Sequence, residues 1–128
     1  MIVAGFGCRR GATTGDFIAA LAQALAIARC QRATLAGVAF PHFRQAEAGA
    51  IAAMKLWGLP VAIVDQPALA QACQRAETHS ARAFAHTGLT SVAESAALAA
   101  AGPGSRLLAR RTGAGSVTCA IAIGERAS

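Results

Sequence analysis

Tyrosine is absent from this 128-residue chain, tryptophan occurs once, and aromatic side chains make up only 5%. That scarcity argues against an aromatic platform for nucleic acid and predicts a core built from Ala, Val, Ile and Leu. Charge is sparse as well, at 14%, and eleven arginines stand against a single lysine. Such alanine-rich, arginine-biased usage matches a high-GC bacterial genome. Cys8, Cys30, Cys73 and Cys119 form no C-x-x-C, and no histidine stands at zinc spacing from a cysteine pair. A zinc module and a disulfide framework are therefore not expected, and free thiols in a cytoplasmic protein are. His42, His79 and His86 share no metal spacing, so neither a metal nor a cofactor is expected. Asp16, Gln23, Lys55 and Gln71 interrupt the apolar segments, and none reaches the roughly 18 residues a membrane span needs. No signal peptide precedes the first apolar segment, which again points to the cytoplasm.

What is present is a 55% hydrophobic chain with a net charge of +6. The length predicts one domain over residues 1–128. A basic surface suits nucleic acid, anionic lipid or an acidic small molecule. The arginines are dispersed rather than clustered, and no nucleic-acid-binding signature accompanies them. An acidic small ligand is thus the expected partner, with no nucleic acid and no membrane.

Apolar periodicity alternates between strand and helix. Met1–Phe6 reads as a buried strand. Thr13 caps a helix whose apolar stripe is Phe17, Ile18, Leu21, Leu25 and Ala28, with Asp16 in the manner of a capping box. Ala33–Phe40 reads as a second strand, Gln45–Trp57 as a helix closed by Gly58 and Pro60, and Val61–Val64 as a third strand. Pro67 opens a helix to about Ala76. Residues 77–89 read as a loop with helical turns. Ser91-Val92-Ala93-Glu94 is a capping-box pattern before a helix from Val92 to Ala101. Arg106–Arg111 and Val117–Ile123 read as a terminal strand pair joined by a turn over Thr112–Gly115. The pattern predicts an α/β fold: a single three-layer α/β/α domain with a mixed five-stranded sheet.

Chemistry concentrates in the first turn, Gly5-Phe6-Gly7-Cys8-Arg9-Arg10-Gly11. A strand running into glycines and then a helix start offers backbone N–H groups to an anion, and two arginines add forked donors. The spacing is one residue too long for a dinucleotide fingerprint, and no Gly-Lys-Ser/Thr is present. Cys8 lies beside two cations that would lower its thiol pKa and could make it a nucleophile, but no histidine is close in sequence, and a small packed residue is the favoured reading. Arg44 and Glu47 are expected on one helix face, aimed at the sheet's carboxyl edge. Glu94 has two readings, as the capping partner of Ser91 or as a carboxylate facing the cleft. Arg9, Arg10, Arg44 and Arg110 are expected to converge on one anion site.

The first turn, the Arg44-x-x-Glu47-x-Gly49 stretch, Gly88-x-x-Ser91-Val92-Ala93-Glu94-Ser95-Ala96-Ala97-Leu98 and Val117-Thr118-Cys119-Ala120-Ile121-Ala122 together resemble the cobalamin-biosynthesis CobE/CbiG C-terminal domain family. The likeness covers nearly the whole chain in motif order and is nearest to the stand-alone CobE-like form. It implies a three-layer α/β/α domain acting in corrin-ring synthesis. Some members open the lactone of a cobalt-precorrin and release acetaldehyde. Lysines common in the family at Arg44 and near Arg110 are arginines here; arginine keeps the charge but is no amine nucleophile. The Pro41-His42-Phe43 segment also departs from the family's commoner pattern. The implied function is binding of a polycarboxylate precorrin, a porphyrin-like tetrapyrrole, as carrier or accessory factor. The ligand-binding candidates are Gly5, Gly7, Cys8, Arg9, Arg10, Gly11, Arg44, Ser91 and Arg110. The alternative is an enzyme acting on the macrocycle, with Glu47 and Glu94 as acid–base residues. Association with other enzymes of the pathway, and with a second copy of the chain, is compatible with either.

Overall fold

The computed structural model describes residues 1–89 and 91–124, and for Arg82, Ala83, His86 and Ala114 the backbone alone. Five strands, β1 (Ile2–Cys8), β2 (Gly37–Pro41), β3 (Val61–Val64), β4 (Arg106–Ala114) and β5 (Val117–Ile123), form one sheet in the order β3-β2-β1-β5-β4. β1, β2 and β3 are parallel, while β5 runs antiparallel to both β1 and β4. The helices are α1 (Thr14–Ala28), α2 (Ala48–Trp57), α3 (Gln66–Cys73), α4 (Ala81–Thr87) and α5 (Val92–Ala101). α1 and α2 pack on one face of the sheet, α3 and α5 on the other. The mixed five-stranded α/β/α domain expected from the sequence is the fold found.

Strand periodicity sorts the two cores. Ala4 and Phe6 of β1, Val38 and Phe40 of β2, and Val117, Cys119 and Ile121 of β5 face α1 and α2. Val3, Ala39, Val64 and Ala122 face α3 and α5. The expectation of a purely aliphatic core is corrected here. Phe6 lies 5.1 Å from Phe40, 5.3 Å from Trp57 and 5.8 Å from Phe17 between ring centroids. The few aromatics are thus concentrated where α1, α2 and the sheet meet, and alanines fill the tighter α5 face.

Of the boundaries that differ from the sequence reading, four have a plain local reason. β1 extends to Cys8 because β5 pairs with it down to Cys8↔Val117. β2 begins only at Gly37, because the amides of Thr34 and Leu35 bond back to the carbonyls of Gln31 and Arg32 in a 3₁₀ turn. α2 begins at Ala48, because Arg44 N–H and Glu47 N–H close successive tight turns onto Pro41 and Arg44. The hairpin turn falls at Gly115-Ser116, where Gly115 has φ +61°. The 77–89 stretch contains α4.

Candidate functional site

The carboxyl ends of β1 and β2 meet the β4–β5 hairpin at one edge of the sheet. The chain leaves β1 toward α1 on one face, and β5 enters antiparallel beside it, so the loops diverge and leave a crevice there. An open cleft of about 650 Å³ occupies it. Gly7, Cys8, Arg9 and Arg10 form one wall, Phe43 and Arg44 a second, and Arg111 with Ser116 and Thr118 a third. Val92 at the start of α5 and Ser80 and Thr87 around α4 complete it. Among the described residues the lining carries four arginines and no carboxylate.

Arg44 is held in place before any ligand arrives. Its Nε donates to the Cys8 carbonyl at 3.0 Å and its Nη1 to the Phe43 carbonyl at 3.3 Å. Its guanidinium carbon also stands 5.5 Å from the Phe43 ring centroid, within cation–π range. The late start of α2 is what lets Arg44 reach across to β1 instead of lying on a helix. Arg9 and Arg10 are exposed at the rim. The Arg9 amide donates to the Ser116 carbonyl at 3.0 Å, which ties the first turn to the hairpin and takes that amide out of any anion cradle.

Arg111 is the site residue that the sequence reading missed. Arg110 instead points outward, 72% exposed, and pairs with Glu77 at 3.0 Å. β4 has register shifts between Leu107 and Ala109 and again between Ala109 and Thr112. A bulge re-aims the side chains beyond it, so simple alternation along β4 cannot say which arginine faces the crevice. Gly5 and Gly7 are buried inside β1 rather than in a turn. A Cβ on Gly5 would run into the backbone of Ala93 and Ala97 in α5, and one on Gly7 would lie 2.8 Å from Thr118 Oγ1. Gly7 lines the cleft and Gly5 lies beneath α5. Gly11, with φ +77°, makes the turn into α1.

Cys8 needs a correction. Its neighbouring cations were expected to lower its pKa, yet burial pushes the thiol up to about 11, against the smaller lowering effect of Arg44, while Glu47 adds to the rise. The thiol is therefore protonated at neutral pH and is not an activated nucleophile. Iodoacetamide at pH 7.5 is expected to label Cys8 on the order of a hundredfold more slowly than free cysteine. Peptide mapping by mass spectrometry checks this, and rapid labelling would contradict it.

Glu47 stands at the N-cap of α2 without a side-chain cap bond. It borders a separate depression of about 340 Å³ shared with Gly11, Thr13 and Gly49. Glu94 is fully buried. Its carboxylate accepts from Glu77 N–H at 2.7 Å, Thr78 N–H at 2.9 Å, Thr78 Oγ1–H at 2.5 Å and Arg111 N–H at 2.8 Å. Burial raises its pKa, but the bonds from the Arg111 amide, the Thr78 hydroxyl and the Thr78 and Glu77 amides outweigh that and hold it below the usual glutamate value. Ser91 Oγ accepts from Glu94 N–H at 3.4 Å, so the hydroxyl half of the capping box is formed, while the carboxylate is spent on another loop. Ser91 is buried beneath the start of α5. His42 is exposed, with its Nε2 3.3 Å from Gln66 Oε1; the His86 side chain lies outside the described residues. Among the described residues no three His, Cys, Asp or Glu side chains gather, and no helix is long and apolar enough to cross a membrane.

The fold and the cleft define an α/β/α domain with a cationic crevice at the carboxyl edge of its parallel strands, where open α/β sheets take ligands. Within that class the chain belongs to the family described as cobalamin synthesis G C-terminus, whose model matches residues 2–122. It is 33% identical over 121 residues to Protein CobE of Sinorhizobium sp., an alignment covering 94% of this chain and 79% of that protein. The crystal structure of a CobE, a protein from the cobalamin (vitamin B12) biosynthetic pathway, superposes with a TM-score of 0.87 at 32% identity, over 98% of this chain and 93% of that one. The cobalamin biosynthesis protein chiG of Agrobacterium tumefaciens matches at 39% identity and a TM-score of 0.77, over 98% of this chain and all (100%) of that one.

Proposed function

We propose that this cobalamin-biosynthesis protein binds a polycarboxylate precorrin in the arginine-lined cleft and acts as a carrier or accessory factor. The observation that carries this reading is the convergence of Arg9, Arg10, Arg44 and Arg111 on one open crevice with no carboxylate in its described lining. A precorrin presents acetate and propionate groups around its ring, and guanidinium forks match carboxylates bidentately. The crevice is large enough for a sizeable ligand and open enough to leave part of a macrocycle exposed, as a handover between enzymes requires. Acid–base chemistry on the ring has less support. The Glu94 carboxylate is fully engaged by four donors, and Glu47 borders a different depression.

Titration of a stable corrin polycarboxylate, followed by its absorption spectrum, tests the reading. The wild type is expected to give a stoichiometric spectral shift. Arg44→Ala is expected to weaken binding roughly 10- to 100-fold, since one charge-assisted bond contributes about 1.5–3 kcal/mol. Arg110→Ala, which removes a solvent-exposed charge outside the lining, is expected to bind as the wild type does. No shift with the wild type would sink the proposal, and turnover of a late precorrin at catalytic protein amounts would replace it with the enzymatic alternative.

A further inference from the structure

Successive side chains on a helix or strand diverge, so neighbours in sequence rarely touch. Beyond β2 the chain breaks that rule. The Arg44 amide closes a turn onto the Pro41 carbonyl at 3.0 Å. The Arg44 guanidinium carbon thereby comes to stand over the ring of its own neighbour, 5.5 Å from the Phe43 centroid. That ring is itself fixed. Phe43 packs against the core cluster that α3 and α5 share with the sheet. The His42 ring meets it edge-on, at 89° and 5.3 Å, and His42 Nε2 lies 3.3 Å from Gln66 Oε1 at the start of α3. The His42 amide extends the β2–β3 ladder by donating to the Val64 carbonyl at 2.9 Å. A continuous line of contacts thus runs from α3 through His42 and Phe43 to Arg44. Arg44 Nε carries it on to the Cys8 carbonyl at the end of β1, at 3.0 Å.

Phe43 and Arg44 both line the cleft. An arginine on a bare surface samples many rotamers and gives up that freedom when it binds an anion. Arg44 has given it up in advance. Its Nε and Nη1 are tied to main-chain carbonyls, and the guanidinium rests on the ring. Neither bond uses Nη2, which keeps its donors for a ligand. A lysine at this position would keep the charge but would bring no planar group to lay on a ring. We propose that Phe43 is the positioning residue of the cleft: it fixes the Arg44 guanidinium in the orientation that receives an anionic ligand, and it makes position 44 specific for arginine rather than for positive charge alone. This rests on the precorrin-binding reading and adds to it how one of the four cations is aimed.

Two measurements on the full chain test this, one without ligand. The NMR signal of the Arg44 Nε–H, identified by its loss in Arg44→Lys, is expected to persist near neutral pH in the wild type and in Phe43→Tyr. It is expected to lose most of its intensity in Phe43→Leu, where the side chain is apolar but offers no ring. The second measurement titrates the same corrin polycarboxylate into the wild type, Phe43→Leu, Phe43→Tyr, Arg44→Lys, Arg44→Ala and the double variant Phe43→Leu/Arg44→Ala, with melting temperatures taken alongside. Phe43→Leu is expected to weaken binding about fivefold in the wild-type background and to make no further difference in the Arg44→Ala background. Phe43→Tyr is expected to restore the affinity, and Arg44→Lys to bind nearly as weakly as Arg44→Ala. Equal losses from Phe43→Leu in both backgrounds would overturn the proposal, since Phe43 would then act on its own. An Nε–H signal unchanged by Phe43→Leu would overturn it, as would wild-type affinity in Arg44→Lys. If Phe43→Leu melts far below the wild type, Phe43→Tyr and Arg44→Lys, which leave a ring at position 43, decide. Binding weakened by Arg44→Ala but not by Phe43→Leu would overturn the role of Phe43 and leave the arginine cleft standing. No corrin binding by the wild type would overturn this inference together with the reading it rests on.

Discussion

Glu94→Gln is expected to lower folding stability by about 3 kcal/mol, a severe change for a side chain that differs by one atom. The native carboxylate is an acceptor at both oxygens. Oε1 receives the Glu77 and Thr78 amides, and Oε2 receives the Thr78 hydroxyl and the Arg111 amide. Glutamine must place its NH₂ at one of these positions. At either, an N–H donor would then face another amide donor in a fully buried pocket. One backbone amide is left without an acceptor, and two donors repel. The midpoint in thermal unfolding is expected to fall by roughly 10 °C, given the few degrees per kcal/mol usual at this chain length. A shift of under 2 °C would show that the clamp contributes little. The pH dependence has a definite sign. The native carboxylate is held below its ordinary pKa, so its stabilisation is present above the unfolded-state value and is lost as the pH falls through the folded-state value. The wild type should lose this increment on acidification, and the Gln variant should lack that part of the pH slope.

The clamp also links stability to the site. Three backbone amides bind one carboxylate: two belong to the turn leading to Ser80 and α4, and one belongs to Arg111. Two walls of the cleft are therefore fastened to α5 through a single side chain. In the sequence, Ser91-x-x-Glu94 reads as a local capping pattern, and the local pattern does account for the Ser91 hydroxyl. It cannot reveal that the carboxylate turns away to a loop 16 residues upstream and a strand 17 residues downstream, because three of its four donors are main-chain amides with no residue signature.

The same division runs through the rest of the molecule. Element order and sheet class were legible because β1, β2 and β3 have strand-like apolar runs, and Thr13, Ser91, Gly58 and Gly102 punctuate the helices. Arg9, Arg10 and Arg44 were legible as cleft residues because they follow strand ends, and the crossover topology gathers strand ends at one edge. Arg111 was not, because its orientation depends on irregularities inside β4. The direction of the Cys8 pKa shift was misread because sequence proximity shows its cations but not its burial, although the packed reading of that residue agrees with the burial found. The Arg44–Glu47 pair did not form on a helix, because tight turns carry the chain past both residues before α2 begins.

Gly5→Ala is expected to destabilise the fold by about 3 kcal/mol, against the ordinary direction for this substitution. Replacing glycine by alanine inside a regular element usually gains about 0.5–1 kcal/mol, because the unfolded chain loses freedom. At Gly5 the new methyl group would overlap the Ala93 carbonyl oxygen and the Ala97 backbone of α5. The obstacle is main chain, so no rotamer change relieves it, and the whole helix must move off the sheet. That displacement would open the Ala93–Ala96–Ala97 layer against β1 and shift Val92, which forms part of the cleft wall. Gly113→Ala is the control. It too lies in a strand, but its Cβ would stand 3.5 Å from the Val117 carbonyl oxygen and 3.7 Å from Thr118 Cγ2, which is ordinary contact. Chemical denaturation of both variants should show a large loss for Gly5→Ala and no loss, or a gain of under about 1 kcal/mol, for Gly113→Ala. Equal stabilities would mean that α5 does not seat on β1 this closely. The glycine at position 5, read from the sequence as part of an anion-binding turn, would then need another account than helix packing.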